Sequence, residues 1–143
     1  TGSVLVWNKT FECSRNKEMA ELYPEYKNFL INLNDRVYDL GDPFNKCWYV
    51  DPKLKGSWSI KNVLPVLVPE LSYDGMSIGK GDQAMLAWWK MVYGDSSLTV
   101  AANGYKQPVR HNRDLEKDML KYCELDTWAM VKIWRKLEKV YNT

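Results

Sequence analysis

A chain of 143 residues is long enough for one domain with a buried core, and an apolar content of 45% excludes a disordered chain. Twenty Lys and Arg against eighteen Asp and Glu leave a net charge of +2, which excludes a protein built to coat polyanions while leaving a local nucleic-acid site open. No uncharged stretch approaches the roughly 20 residues of a membrane-spanning helix, so no membrane role is expected.

The chain opens on Ser3-Val4-Leu5-Val6-Trp7, a continuous apolar run that reads as a buried strand. A strand so early has few local partners, which predicts a piece of a longer protein whose upstream strands are absent. Asn8 to Glu12 follows and leads into a helix reaching about Leu22. Pro24 interrupts it and opens a second helix, with Tyr26, Phe29, Leu30 and Leu33 at helical spacing. Arg36 to Leu40 reads as a short strand stopped by Gly41 and Pro43, and Phe44 to Trp58 as irregular. Ser59 is placed to cap a helix from Ile60 to about Val68, which Pro65 should shorten or bend.

Ser72 to Gly81 is loop-like, and Asp82 is positioned to cap a helix from Gln83 to Tyr93. Adjacent Trp88 and Trp89 cannot share one helix face, so one is expected in the core and the other at the surface. Ser96 to Val109 contains Asn103-Gly104, a hairpin-turn signal. Two helical stretches close the chain, about Asn112 to Cys123 and Glu124 to Tyr141. Cys13, Cys47 and Cys123 form neither a zinc pattern nor a disulfide framework, which points to a reducing compartment, and with no signal-peptide pattern a cytoplasmic location is expected. A single helix-rich domain over residues 1–143 is expected, with two or three strands.

Two segments carry acids in chemically suggestive positions. In Asn8-Lys9-Thr10-Phe11-Glu12 a carboxylate follows a buried strand, where it can be held rigidly toward a cleft and offer a hard oxygen ligand to a divalent cation. Phe11 would anchor the turn in the core, and the Asn8 amide would fix backbone or touch substrate. In Tyr122-Cys123-Glu124-Leu125-Asp126 the phenol and the second carboxylate lie four apart, on one helical face. A phenol there can orient a water for attack on a phosphodiester. Read singly, Tyr122 and Asp126 also suit a solvated helix face, and Asn8 to Glu12 an ordinary helix start. Lys61 beside Ser59 could meet a phosphate at a helix start or simply be solvated. Asp39 is read as a turn cap with Gly41, His111 as a surface polar group, and Lys132, Arg135, Lys136 and Lys139 as a solvated face.

The order of strand, Asn-x-x-Phe-acid, Ser-x-Lys and Tyr-x-x-x-Asp on the closing helix resembles the second and third motifs of DEDD-type 3′–5′ exonucleases. The likeness is to the tyrosine subclass of these enzymes, which belong to the ribonuclease H-like superfamily. More closely, the chain resembles the C-terminal part of the bacterial domain-of-unknown-function family 2779. The carrying segments are Val6 to Glu12, Gly56 to Pro65, Leu71-Ser72-Tyr73 and Leu120 to Val131.

The resemblance implies an α/β architecture, a helix-rich C-terminal fragment of a ribonuclease H-like fold lacking the first strands. It implies two Mg²⁺ or Mn²⁺ ions and hydrolysis of phosphodiesters at a single-stranded nucleic-acid end. Glu12 and Asp126 become metal ligands, Tyr122 the water-orienting phenol, and Asn8, Phe11 and Lys61 substrate contacts. Glu12 stands where that pattern ordinarily has Asp, and the first-motif Asp-x-Glu would lie upstream of Thr1. The 143 residues alone are therefore expected to be inactive, and an open sheet edge could make the fragment dimerise. The rival expectation is a catalytically silent helical protein-interaction domain with a Trp-rich surface, or the same fold with its chemistry lost.

Overall fold

The computed structural model of the protein describes residues 2–93 and 113–142. It is mixed α/β and mostly helical, with one two-stranded sheet, and it divides into two compact units. The first comprises residues 1–72 and 129–143, the second residues 73–128. The expected hairpin over 96–109, His111 and the Asn112 helix start lie outside the described residues.

In the first unit, strand β1 (Val4–Val6) leads into helix α1 (Lys9–Leu22). Asn8 is the N-cap. It sits at φ 73°, in the left-handed region that asparagine tolerates better than most residues, and its side chain accepts from the Phe11 N–H at 3.3 Å. Pro24 ends this helix and starts a single turn of 3₁₀ helix, Pro24–Tyr26, before α2 (Lys27–Asp35). The chain then returns as strand β2 (Val37–Asp39), which pairs parallel to β1 in the register Val4–Val37, Leu5–Tyr38 and Val6–Asp39. A parallel pair requires a crossover, and α1 and α2, packed on each other, provide it. An Asn16–Asn34 side-chain bond of 2.9 Å ties the two helices, and Asn34 also donates to the Cys13 carbonyl at 3.1 Å.

Asp39 joins strand to helix. Its carboxylate accepts from the Lys9 N–H at 2.7 Å, the Asn8 N–H at 3.1 Å and the Gly41 N–H at 2.9 Å. The expected cap with Gly41 is present. The two bonds to the α1 N-terminus come in addition, across some thirty residues of chain, and place an anion where the helix dipole favours one. A methyl group on Gly41 would meet Asp39 Oδ1 at 3.1 Å and the rings of Trp7 and Trp58 at 3.4 Å, so the close approach of these groups requires glycine there.

The stretch expected to be irregular contains a short helix, α3 (Asp42–Asn45), which buries Pro43 and Phe44. The Phe44 ring stacks on Trp7 at 5.8 Å and meets Tyr49 edge-on at 5.5 Å. Helix α4 (Ile60–Leu67) buries Val63 and Leu64, carries Pro65 inside it, and gives way at Val68, whose place before Pro69 disfavours the helical conformation. Ser59 occupies its N-cap position, but its side chain makes no capping bond. Ser57 Oγ instead accepts from the Ser59 N–H at 3.4 Å and the Asn62 amide at 2.7 Å. The unit is completed by the second half of α6 (Arg113–Tyr141), where Ala129, Ile133 and Leu137 recur at four-residue spacing and are all buried.

In the second unit, Tyr73 and Ile78 are buried ahead of α5 (Gly81–Tyr93). This helix starts just before Asp82, which lies in its first turn. The two stretches expected at the end of the chain are one continuous helix, α6, because no breaker separates Cys123 from Glu124. Neither Trp88 nor Trp89 is in the core. They are 43% and 44% exposed, and Ala87 is the buried residue of α5. Both instead join an exposed aromatic group with Tyr93, with Trp89 and Tyr93 at 4.6 Å. No helix among the described residues is long and apolar enough to cross a membrane. Cys13, Cys47 and Cys123 are free.

Candidate functional site

The two acids singled out by the sequence belong to different units, Glu12 to the first and Asp126 to the second. Glu12 is in the first turn of α1, half-buried, and among the described residues its carboxylate makes no hydrogen bond or ion pair. Burial raises its carboxyl above the ordinary glutamate value. A raised acid favours the folded state while protonated, and that advantage is lost as pH rises through its folded value. Glu12→Gln is therefore expected to be slightly more stable than the parent at neutral pH, by less than about 1 kcal/mol because solvent still screens much of the group. The gain should vanish below about pH 4, where both side chains are neutral. Thermal unfolding in EDTA at the two pH values checks this, and a less stable variant at neutral pH would mean that the carboxylate has a partner.

Around Glu12 the expected contacts divide. Asn8 spends its side chain on the helix cap. Phe11 does not anchor the turn in the core: it is 55% exposed and lies under the Arg15 guanidinium, 5.4 Å from the ring centroid. Position 11 is the third residue of a helix whose inner face carries Ala20, so an aromatic there points outward. Lys61 is half-buried in the first turn of α4.

The second acid sits in a built environment. Tyr122 and Asp126 are one turn apart on α6, and Tyr73 reaches Asp126 from the loop before α5. The Tyr73 hydroxyl donates to Asp126 Oδ1 at 2.6 Å, the short distance of a phenol bonded to a charged oxygen. Tyr122 also hydrogen-bonds Asp126. The two rings are 6.2 Å apart, and both tyrosines are buried. Burial, followed by the bond to Asp126, pushes each phenol well above the ordinary tyrosine value. Asp82, on the first turn of α5, adds to the effect at Tyr122. A methyl group on Gly81 would lie 3.8 Å from the Tyr122 hydroxyl, so the start of α5 closes over that phenol.

Chemically, this is a carboxylate fixed in orientation by two neutral phenols that act as donors. Tyr122 is not part of a solvated helix face, because the residue is only 8% exposed. Tyr73 is the member of this cluster that sequence reasoning missed. It stands in one of the segments that carried the family resemblance, but its distance of 53 residues from Asp126 leaves no spacing signal. Among the described residues, no group of three or more His, Cys, Asp and Glu side chains is suited to hold a metal ion.

Residues 1–59 match a family described as a domain of unknown function, DUF2779. An uncharacterized protein of Ureaplasma parvum is 32% identical over 156 residues, covering 98% of this chain and 21% of that protein. An uncharacterized protein of Mycoplasma genitalium is 33% identical over 138 residues, covering 92% of this chain and 20% of that protein. A homologue in Mycoplasma pneumoniae is 29% identical over 143 residues. No solved structure matches. The chain thus spans about a fifth of the length of the curated relatives it matches. It is similar over its first 59 residues to the DUF2779 family, and over nearly its whole length to one portion of much longer bacterial proteins.

Proposed function

We propose that this chain is part of a metal-dependent, 3′–5′ exonuclease-like nuclease of ribonuclease H-like fold, hydrolysing phosphodiester bonds at single-stranded nucleic-acid ends in the cytoplasm. The supporting observation is the Asp126 carboxylate held by the Tyr73 and Tyr122 phenols. A side chain so fixed has lost its orientational freedom before any ligand arrives, which a reacting centre requires. Tyr122 stays protonated with its one proton on Asp126, so its oxygen is left as an acceptor that can orient an attacking water without changing charge. Glu12 supplies a second, unpaired carboxylate, and Asn8, Phe11 and Lys61 are the substrate contacts. Two Mg²⁺ or Mn²⁺ ions, bound by Glu12 and Asp126 with acids from outside residues 1–143, would polarise the water and stabilise the leaving oxygen.

The test is Mn²⁺-dependent digestion of an end-labelled single-stranded oligonucleotide by the full-length protein. Asp126→Asn keeps an acceptor for both phenols and removes the charge, so folding is expected to survive while the rate falls about 100-fold or more. Equal rates in parent and variant remove Asp126 from the mechanism. A second reading, a silent helical protein-interaction domain, is supported by the exposed Trp88, Trp89 and Tyr93 group on α5. It predicts no metal-dependent cleavage at all, and loss of a protein partner in Trp89→Ala.

A further inference from the structure

The two edges of the sheet differ. In a parallel ladder, alternate residues of a strand direct their N–H and C=O to opposite sides. The Val4 N–H donates to the Arg36 carbonyl at 2.9 Å, and the Leu40 N–H to the Val6 carbonyl at 2.8 Å. Val4 and Val6 therefore face β2, and Leu5 turns its N–H and C=O away from it. Among the described residues, nothing hydrogen-bonds the Leu5 main chain. The outer side of β2 is closed in two ways. Lys9 Nζ donates to the Val37 carbonyl at 3.0 Å, and the Asp39 carboxylate is folded onto the α1 N-terminus. A lysine laid over an edge carbonyl is a common means of blocking strand addition.

We propose that the free edge of β1 is a docking edge for an extended strand supplied by the remainder of a longer polypeptide, hydrogen-bonded through Leu5. Three observations support that occupant. A parallel sheet of two three-residue strands is smaller than such sheets are when stable, since they need more strands and cover on both faces. Among the described residues only the β1 edge is open, which suits one added strand rather than growth in both directions. The relatives are about five times the length of this chain, so a strand donor within the same polypeptide is at hand. The sheet face bearing Leu5 and Tyr38 opens on a groove of about 490 Å³ that Leu40, Trp134, Leu137 and Tyr141 also line. A strand beside β1 places every second side chain on that face, so the donor carries apolar residues at alternate positions. The inference is independent of the catalytic reading and survives its failure.

Amide hydrogen exchange on the full-length polypeptide tests the edge. The Leu5 amide is expected to exchange about as slowly as that of Val6, which is bonded within the sheet. A Leu5 amide exchanging about 100-fold faster than Val6 overturns the proposal. Protection that disappears on dilution, together with a dimeric mass, assigns the edge to a second copy and also overturns it. A photoreactive Ser3→p-benzoylphenylalanine in the monomeric protein should cross-link to a segment outside residues 1–143, and a cross-link confined to those residues overturns it. Leu5→Pro, which removes the outward N–H, should melt at least about 4 °C below Leu5→Ala, and equal melting temperatures count against it.

Discussion

Alanine at Asp126 is expected to destabilise the second unit by about 3–5 kcal/mol, because it removes the acceptor for two buried phenols at once. A hydrogen bond to a charged group contributes about 1.5–3 kcal/mol, and a buried hydroxyl left without an acceptor also bears its desolvation cost. Tyr73→Phe removes one of the two bonds and should cost about 1.5–3 kcal/mol. The double variant should then cost less than the sum of the single ones, since both remove the same 2.6 Å contact. Urea denaturation of the four proteins checks this. Additive losses would mean that Tyr73 and Asp126 do not interact in solution. Asp126→Asn should lie closest to the parent, which makes it the informative variant for the nuclease assay.

The second large effect is expected at Asp39. Asp39→Ala should cost about 2–4 kcal/mol, since it leaves the Asn8, Lys9 and Gly41 N–H groups without their acceptor and takes an anion from a helix N-terminus. The loss should appear in the first unit, with faster amide exchange at Asn8, Lys9 and Gly41. Asp39→Asn keeps one carboxamide oxygen and should lose roughly half as much. If Asp39→Ala is as stable as the parent, the joint between β2 and α1 is held by sheet pairing and packing alone.

Much of the architecture was legible because its causes are local. Asn8 marked the start of α1 through a side chain that reaches three residues along the chain. Pro24 separated α1 from α2 by removing an N–H, and Val37 to Asp39 was bounded by turn formers. Two readings failed for a shared reason. Phe11 and one of the Trp88–Trp89 pair were placed in the core by residue type, but an apolar side chain is buried only if its helix presents that face to a neighbour. Ser59 was a suitable cap by type and position, but its hydroxyl makes no capping bond, and the Asn62 N–H is met by the Ser59 carbonyl instead.

The candidate site was legible in its near half. Tyr122 and Asp126 are one helical turn apart, a relation that sequence spacing carries once a helix is assumed. Helix ends, strand limits and the faces of α6 likewise follow from capping and periodicity, which act over about four residues. Tyr73 over Asp126, Asp39 over the α1 N-terminus and Lys9 over Val37 join residues 28 to 53 positions apart. Nothing in the spacing of those residues specifies such contacts. They exist because the chain returns on itself through packing, and hydrogen bonds form wherever that return leaves a donor facing an acceptor.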